Sequence, residues 1–199
     1  MNNTSDPTRT KFRQAIDNAL PNSGHEALVL LENTGVLEHQ ITQNVDGLHF
    51  KAESKSVSEI HGNRNKLRCV VCELRWDKNN FPSGYIETII KKSPNDLYQT
   101  CPECNGAVKK DAMMFGEPIP EYVLRGCLYR SEQSDCILII GTSATVYPAV
   151  NFLGRVKDNG GLIIDANPNE TPLSDYADRG PWCKRSYRDS STEIGSRNI

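Results

Sequence analysis

Residues 41–62 read ITQNVDGLHFKAESKSVSEIHG. The segment starts apolar at Ile41 and then delivers Thr42, Gln43, Asn44, Asp46 and His49 almost together, with Gly47 loosening the backbone among them. This is the pattern of a short buried strand that gives way to polar groups at its carboxyl end. In an open α/β sheet, ligands bind outside the carboxyl ends of the strands, so the pattern predicts a site here. Taken singly, Asn and Asp around a glycine are turn residues. It is their density that argues for more. A second imidazole, His61, follows between Ile60 and Gly62. Histidine is the side chain most easily poised to take a proton near neutral pH.

Working back towards the N-terminus, Phe12, Ile16 and Leu20 fall at helical spacing within Lys11–Leu20, and Pro21 ends that segment. A second helix is expected in PNSGHEALVLLENTG (21–35), with Ser23 as its cap and Glu26 completing a capping box. Leu28 and Leu31 would face the core and Gly35 would stop the helix. His25 reads as a structural histidine at the helix start. Val36–Thr42 then carries the chain into the polar segment.

Working forward, Cys69-x-x-Cys72 and Cys101-x-x-Cys104 supply four thiolates. Two such knuckles form a closed tetrahedral site for one structural zinc, which has no coordination position left for chemistry. The stretch between them is longer than the roughly 15–20 residues of the commonest ribbons, and the excess predicts an excursion with a helix near Tyr85–Lys92. Lys66, Arg68, Arg75 and Lys78 make this module locally basic. With Trp76 as the only aromatic interleaved among them, they read as solvated ribbon surface rather than a nucleic-acid platform. Met113–Phe115 is expected as a short strand stopped by Pro118 and Pro120, and Glu121–Arg130 as a helix. Next come a strand at Cys136–Ile140 ending in Gly141-Thr142-Ser143, a helix over Pro148–Lys157, a turn at Gly160-Gly161 and a strand at Leu162–Asp165. That order is a right-handed βαβ unit with parallel strands, in which Cys136 would be a small core residue.

TQNVDGLH at 42–49 followed by EIHG at 59–62 strongly resembles the central signature of the sirtuins, the NAD-dependent protein-lysine deacylases. CVVC, CPEC, FGEPIP, GTSATVYPA and DANP follow in that family's order, so the likeness covers roughly positions 21 to 170. The resemblance implies a Rossmann-like parallel sheet, here incomplete, with an inserted zinc ribbon. It implies His61 as the catalytic base, and Gln43, Asn44 and Asp46 against the nicotinamide and its ribose. Amides, which donate and accept at once, suit that task. Gly141, Thr142 and Ser143 would meet the adenosine, and Asn167 its ribose. Met114, Phe115, Gly116 and Glu117 would bind an extended acyl-lysine peptide by strand addition. NAD and one structural zinc are the implied cofactors.

The likeness does not extend to either end of these 199 residues. The family's Gly-Ala-Gly phosphate loop does not occur in them, and the polar residues after Gly180 replace the segment that helps to seat adenine. The expected consequences are a sheet short of a central strand, apolar faces left exposed or covered by a partner, and weakened NAD binding. The expected organisation is a disordered 1–10, a first Rossmann part over 11–62, a zinc module over 63–110, a second Rossmann part over 111–179 and a polar tail over 180–199. A non-catalytic peptide-binding module and a mono-ADP-ribosyltransferase are the alternative functions.

Composition narrows the class. Hydrophobic residues make up 37% and charged ones 24%, a globular balance with room for one core or a core with a satellite. A net charge of −2 gives no electrostatic case for nucleic acid. No apolar run approaches the roughly 18 residues of a membrane span, and the N-terminus lacks the apolar core of a secretory signal. An intracellular location is expected, where seven cysteines are thiols or metal ligands rather than disulfides.

Overall fold

The computed structural model describes residues 11, 14–82, 99–114, 116–142 and 147–179. The expectations for 1–10, for a helix at Tyr85–Lys92 and for 180–199 lie outside them, as do Phe12, Phe115 and Ser143. The chain divides into two compact units, Met1–Leu124 and Arg125–Ile199.

In the first unit, helix α1 (Ser23–Asn33) is capped one residue earlier than the sequence suggested. Asn22, held extended at φ −113°, accepts from the N–H groups of Gly24 at 3.0 Å and His25 at 3.2 Å. His25 answers by accepting the Asn22 N–H on Nδ1, so the box is Asn22–His25 and not Ser23–Glu26. Asparagine caps as well as serine does, and Glu26 still opposes the positive end of the helix from its first turn. Gly35, at φ +74°, turns the chain away after Thr34. Leu28 and Leu31 are only half-buried, because α1 is without a fully covering layer and Leu30 stands exposed.

Strand β1 (Gln40–Thr42) is the short strand expected at Ile41 and pairs in parallel with β2 (Val57–Glu59), Ile41 opposite Ser58. The single-turn helix α2 (Leu48–Lys51) lies in the crossover. Polar bonds pin this small βαβ unit. The His39 ring spans Ser56 Oγ at 2.7 Å and Ser58 Oγ at 2.8 Å, and the Glu32 carboxylate accepts from the backbone of Lys55 and Ser56.

The inserted ribbon is an antiparallel sheet of β3 (Lys66–Cys69), β4 (Arg75–Asp77), β5 (Gln99–Thr100) and β6 (Ala107–Lys110) in the order β4-β3-β6-β5. Its core is Leu67, Cys69, Phe81, Cys101 and Val108, with Trp76 set edge-on to Phe81 at 5.2 Å. Met113 and Met114 are not a strand. Glu117 N–H bonds back to the Met114 carbonyl and Gly116 takes φ +81°, so the chain turns where a ladder would have continued.

Helix α3 (Glu121–Gln133) leads into the second unit. There β7 (Cys136–Ile140) and β8 (Leu162–Ala166) pair in parallel across α4 (Ala149–Asp158), the expected βαβ unit. Ile139, Leu153, Ile163 and Leu173 form its core, and Phe152 and Val156 are buried too. Each such side chain contributes about 1.5–3 kcal/mol by leaving water. Cys136 is exposed and not core: with Ile137 and Ile139 turned inward, alternation sends Cys136, Leu138 and Ile140 to the other face. The architecture is thus α/β and Rossmann-like, with the parallel strands in two separate pairs, β1–β2 and β7–β8, and an inserted ribbon. Among the described residues, no helix is long and apolar enough to cross a membrane.

Candidate active site and metal centre

The polar segment after β1 is a sequence of local turns. Thr42 Oγ1 accepts the Asn44 N–H at 3.1 Å, and Asp46 Oδ1 accepts the Leu48 N–H at 2.9 Å to start α2. Asn44 is exposed, while Gln43 and Asp46 are half-buried. His61 reaches back to this segment, with Nδ1 lying 3.2 Å from the Gln43 carbonyl. A carbonyl can only accept, so this contact requires the proton on Nδ1 and leaves Nε2 as the basic nitrogen of the neutral ring. Arg64 N–H donates to the Val45 carbonyl at 2.9 Å, tying the two segments a second time. Gly62 is needed between them: it sits at φ +74°, and a Cβ there would lie 2.1 Å from the Asp111 carbonyl oxygen.

Beneath the turn is a charge cluster that sequence reading missed. Glu59 and Asp111 are buried, and Arg75 bonds to both, to Glu59 Oε2 at 3.0 Å through Nη2 and to Asp111 Oδ2 at 3.0 Å through Nε. Lys66 joins Glu59 at 3.2 Å and Arg68 joins Asp111 at 3.3 Å. Burial works against the Arg75 charge, but Asp111 and then Glu59 outweigh it and hold its pKa above the ordinary value. Of the basic residues read as solvated ribbon surface, Lys66, Arg68 and Arg75 are therefore ion-pair partners, and of the four only Lys78 is exposed. The two acids flank the module in the sequence, Glu59 before it and Asp111 after it, with no spacing that says they meet.

Of the expected peptide-binding residues, Met114 and Gly116 are exposed. The Glu117 carboxylate accepts the Met114 N–H at 3.0 Å and pairs with Lys109 and with Arg68. Burial alone would raise its pKa. Lys109, the Met114 N–H and Arg68 together bring it below the usual value. His49, its ring 4.9 Å from that of His25 and tilted to it, has its pKa lowered, first by burial and then by His25.

In the second unit, Gly141 leaves β7 at φ +63°. Asn167, just past β8, donates from Nδ2 to the Thr142 carbonyl at 3.0 Å and to Asp165 Oδ1. Asp165 is in turn fixed by Ser174 Oγ at 2.8 Å. The adjacent parallel strands therefore bring Gly141, Thr142 and Asn167 together at their carboxyl ends. Ser143 lies outside the described residues.

The thiols of Cys69, Cys72, Cys101 and Cys104 all lie within 4.8 Å of one another. Sγ separations are 3.5 Å for Cys69–Cys104 and 3.6 Å for Cys72–Cys101. A tetrahedral zinc with bonds of about 2.3 Å sets its sulfurs about 3.8 Å apart, so the donor set fits. Burial raises the Cys69 thiol, but N–H groups of Cys72 and Val71 bring it down to about 7. The Leu74 N–H pulls Cys72 down, yet burial and the neighbouring sulfurs push it up to about 12. One thiolate thus forms easily and repels the others, the condition that a bound dication relieves.

The sequence profile of the Sir2 family matches residues 4–148. This chain belongs to the Sir2 family. An NAD-dependent protein deacylase of Thermococcus sibiricus is 39% identical over 165 residues, 81% of this chain and 63% of that protein. An NAD-dependent protein deacetylase of Sulfurisphaera tokodaii is 40% identical over 160 residues, 80% of this chain and 60% of that protein. The chain thus spans about three-fifths of the length of these Sir2 relatives. Among solved structures, a Sir2 homologue in complex with NAD superposes with a TM-score of 0.67 at 37% identity, covering 83% of this chain and 60% of that one. A Sir2 protein bound to a propionylated peptide gives 0.64 at 33% identity, with 84% and 70% covered.

Proposed function

We propose that this chain carries the catalytic base, peptide-binding segment and zinc ribbon of an NAD-dependent protein-lysine deacylase acting inside the cell, where the paired cysteines stay reduced. The observation that carries the reading is the His61 ring, whose Nδ1–H is committed to the Gln43 carbonyl, so that Nε2 is the nitrogen available to take a proton. When bound, NAD would supply the ribose carbon at which nicotinamide is exchanged for the acyl oxygen of the substrate lysine. His61 Nε2 would take the proton of a neighbouring ribose hydroxyl, which attacks the acyl carbon; with one water added, the lysine amine would leave and the acyl group would remain as an ester on ADP-ribose. Gln43, Asn44 and Asp46 hold the nicotinamide end, and Gly141, Thr142, Ser143 and Asn167 the adenosine end. Met114 to Glu117 bind the peptide backbone, and the four zinc thiolates take no part in the chemistry.

The test is to incubate the chain with NAD and an acetyl-lysine peptide and to measure nicotinamide release. Release that His61→Ala abolishes supports the enzyme. A second reading is a zinc-containing peptide binder without turnover, which the four clustered thiols and the exposed Met114 and Gly116 fit equally. Peptide binding with no NAD binding by calorimetry would select it.

A further inference from the structure

The turn that carries His61 is held from the ribbon side. Glu59 and Asn63 bracket it, and both are buried, with 4% and 3% of their surface exposed. Asn63 donates its backbone N–H to Asp111 Oδ2 at 2.8 Å and its side-chain amide to Glu59 Oε1. The Met113 N–H donates to the carbonyl of His61 itself at 3.0 Å. Asp111, 1% exposed, is therefore one jaw of the clamp and Glu59 the other. Two carboxylates buried this way repel each other unless a cation lies between them. Lys66 touches Glu59 and Arg68 touches Asp111, but of the cations among the described residues only Arg75 pairs with both acids. The rigid fork of its guanidinium fixes the spacing of the acids in a way a point charge cannot. Arg75 opens β4 just after the knuckle, where the Cys69 N–H bonds to the Leu74 carbonyl at 2.9 Å.

We propose that Arg75 is a positioning residue for His61, bridging Glu59 and Asp111 so that the order of the zinc knuckle is carried into the turn that aims the imidazole. The inference rests on the deacylase reading for its kinetic consequence, but its structural consequence can be measured without turnover. The experiment uses the full zinc-loaded chain with Arg75→Met and Arg75→Lys, following metal content, backbone amide exchange and nicotinamide release from NAD with an acetyl-lysine peptide. In Arg75→Met, zinc is retained and exchange at Met113 and Asn63 rises roughly tenfold, while amides of β7 and β8 are unchanged. The catalytic rate kcat falls about tenfold with the peptide KM held within about twofold, the split expected of a misaimed base. Arg75→Lys keeps the charge but not the fork and recovers only part of both effects; should Arg75→Met fail to fold, this variant alone carries the test. Unchanged exchange at Met113, or zinc lost in step with its increase, overturns the proposal. An inactive parent chain with the exchange pattern as stated overturns the deacylase reading and leaves the clamp standing.

Discussion

The first unit and the β7–α4–β8 unit are both built around a parallel strand pair, yet different forces hold them. In the second unit, five-residue strands pack Ile139 and Ile163 against Leu153 of α4, and burial of apolar surface does the stabilising. In the first, β1 and β2 are three residues each and their helix is one turn long. What holds them is polar: Gln40 to Ser54, His39 to Ser56 and Ser58, and the charge cluster running from Glu59 into a ribbon that is itself fitted for a metal. A fold element too short to bury much can be kept in place by directional bonds, provided something rigid anchors them.

That contrast can be broken by removing one support at a time. The largest effect belongs to the metal, since structural zinc sites contribute about 10–16 kcal/mol of apparent binding free energy. Stripping it with a chelator, or replacing Cys101 by Ser, should unfold β3–β6 while the amides of β7 and β8 stay protected in hydrogen exchange. Simultaneous loss of protection in both units would show that they are not independent. Next, Ile163→Ala should cost about 2–5 kcal/mol in denaturant melting followed in the second unit, with zinc content unchanged. Asn22→Ala removes the cap of α1 and should cost about 1 kcal/mol, whereas Ser23→Ala should cost little, which separates the observed cap from the expected one.

The smallest effect is on pH. The folded-state pKa of His49 lies below its ordinary 6.5, so as pH falls the unfolded chain takes up that proton first. Its contribution to stability is therefore full above about 6.5 and declines as pH drops through the lower folded value. Melting curves at stepped pH should show this decline, and His49→Gln should flatten it.

Legibility in the sequence followed the same division. CILII and LIID announce strands by their apolar runs, and β7 spans the residues expected for it. The paired cysteines announced the metal site because spacing alone places two sulfurs on one knuckle. In the first unit the local signals were weaker. Asn22 and Ser23 are equally good caps, and only the extended backbone at Asn22 decides between them. Met113-Met114 looks like strand, yet the Glu117–Met114 turn wins. The roles of Arg68 and Arg75 could not be read because their partners, Glu59 and Asp111, come from outside the ribbon, and nothing in the spacing says that those two acids meet. The candidate residues Gln43, Asn44, Asp46 and His61 were legible as a motif, but the tautomer of the ring was not, because it depends on a backbone carbonyl.

The ribbon's strand order bears on how the polypeptide tolerates cutting. β3 and β4 carry Cys69 and Cys72 on or beside them, β5 and β6 lie beside Cys101 and Cys104, and the central β3–β6 ladder joins the two pairs. A protease nick between Phe81 and Gln99 would leave each fragment with half of the donor set and one side of that ladder. Mixed together, the pieces should reassemble only when the ion is supplied, so that the metal serves as a reversible splice in the chain.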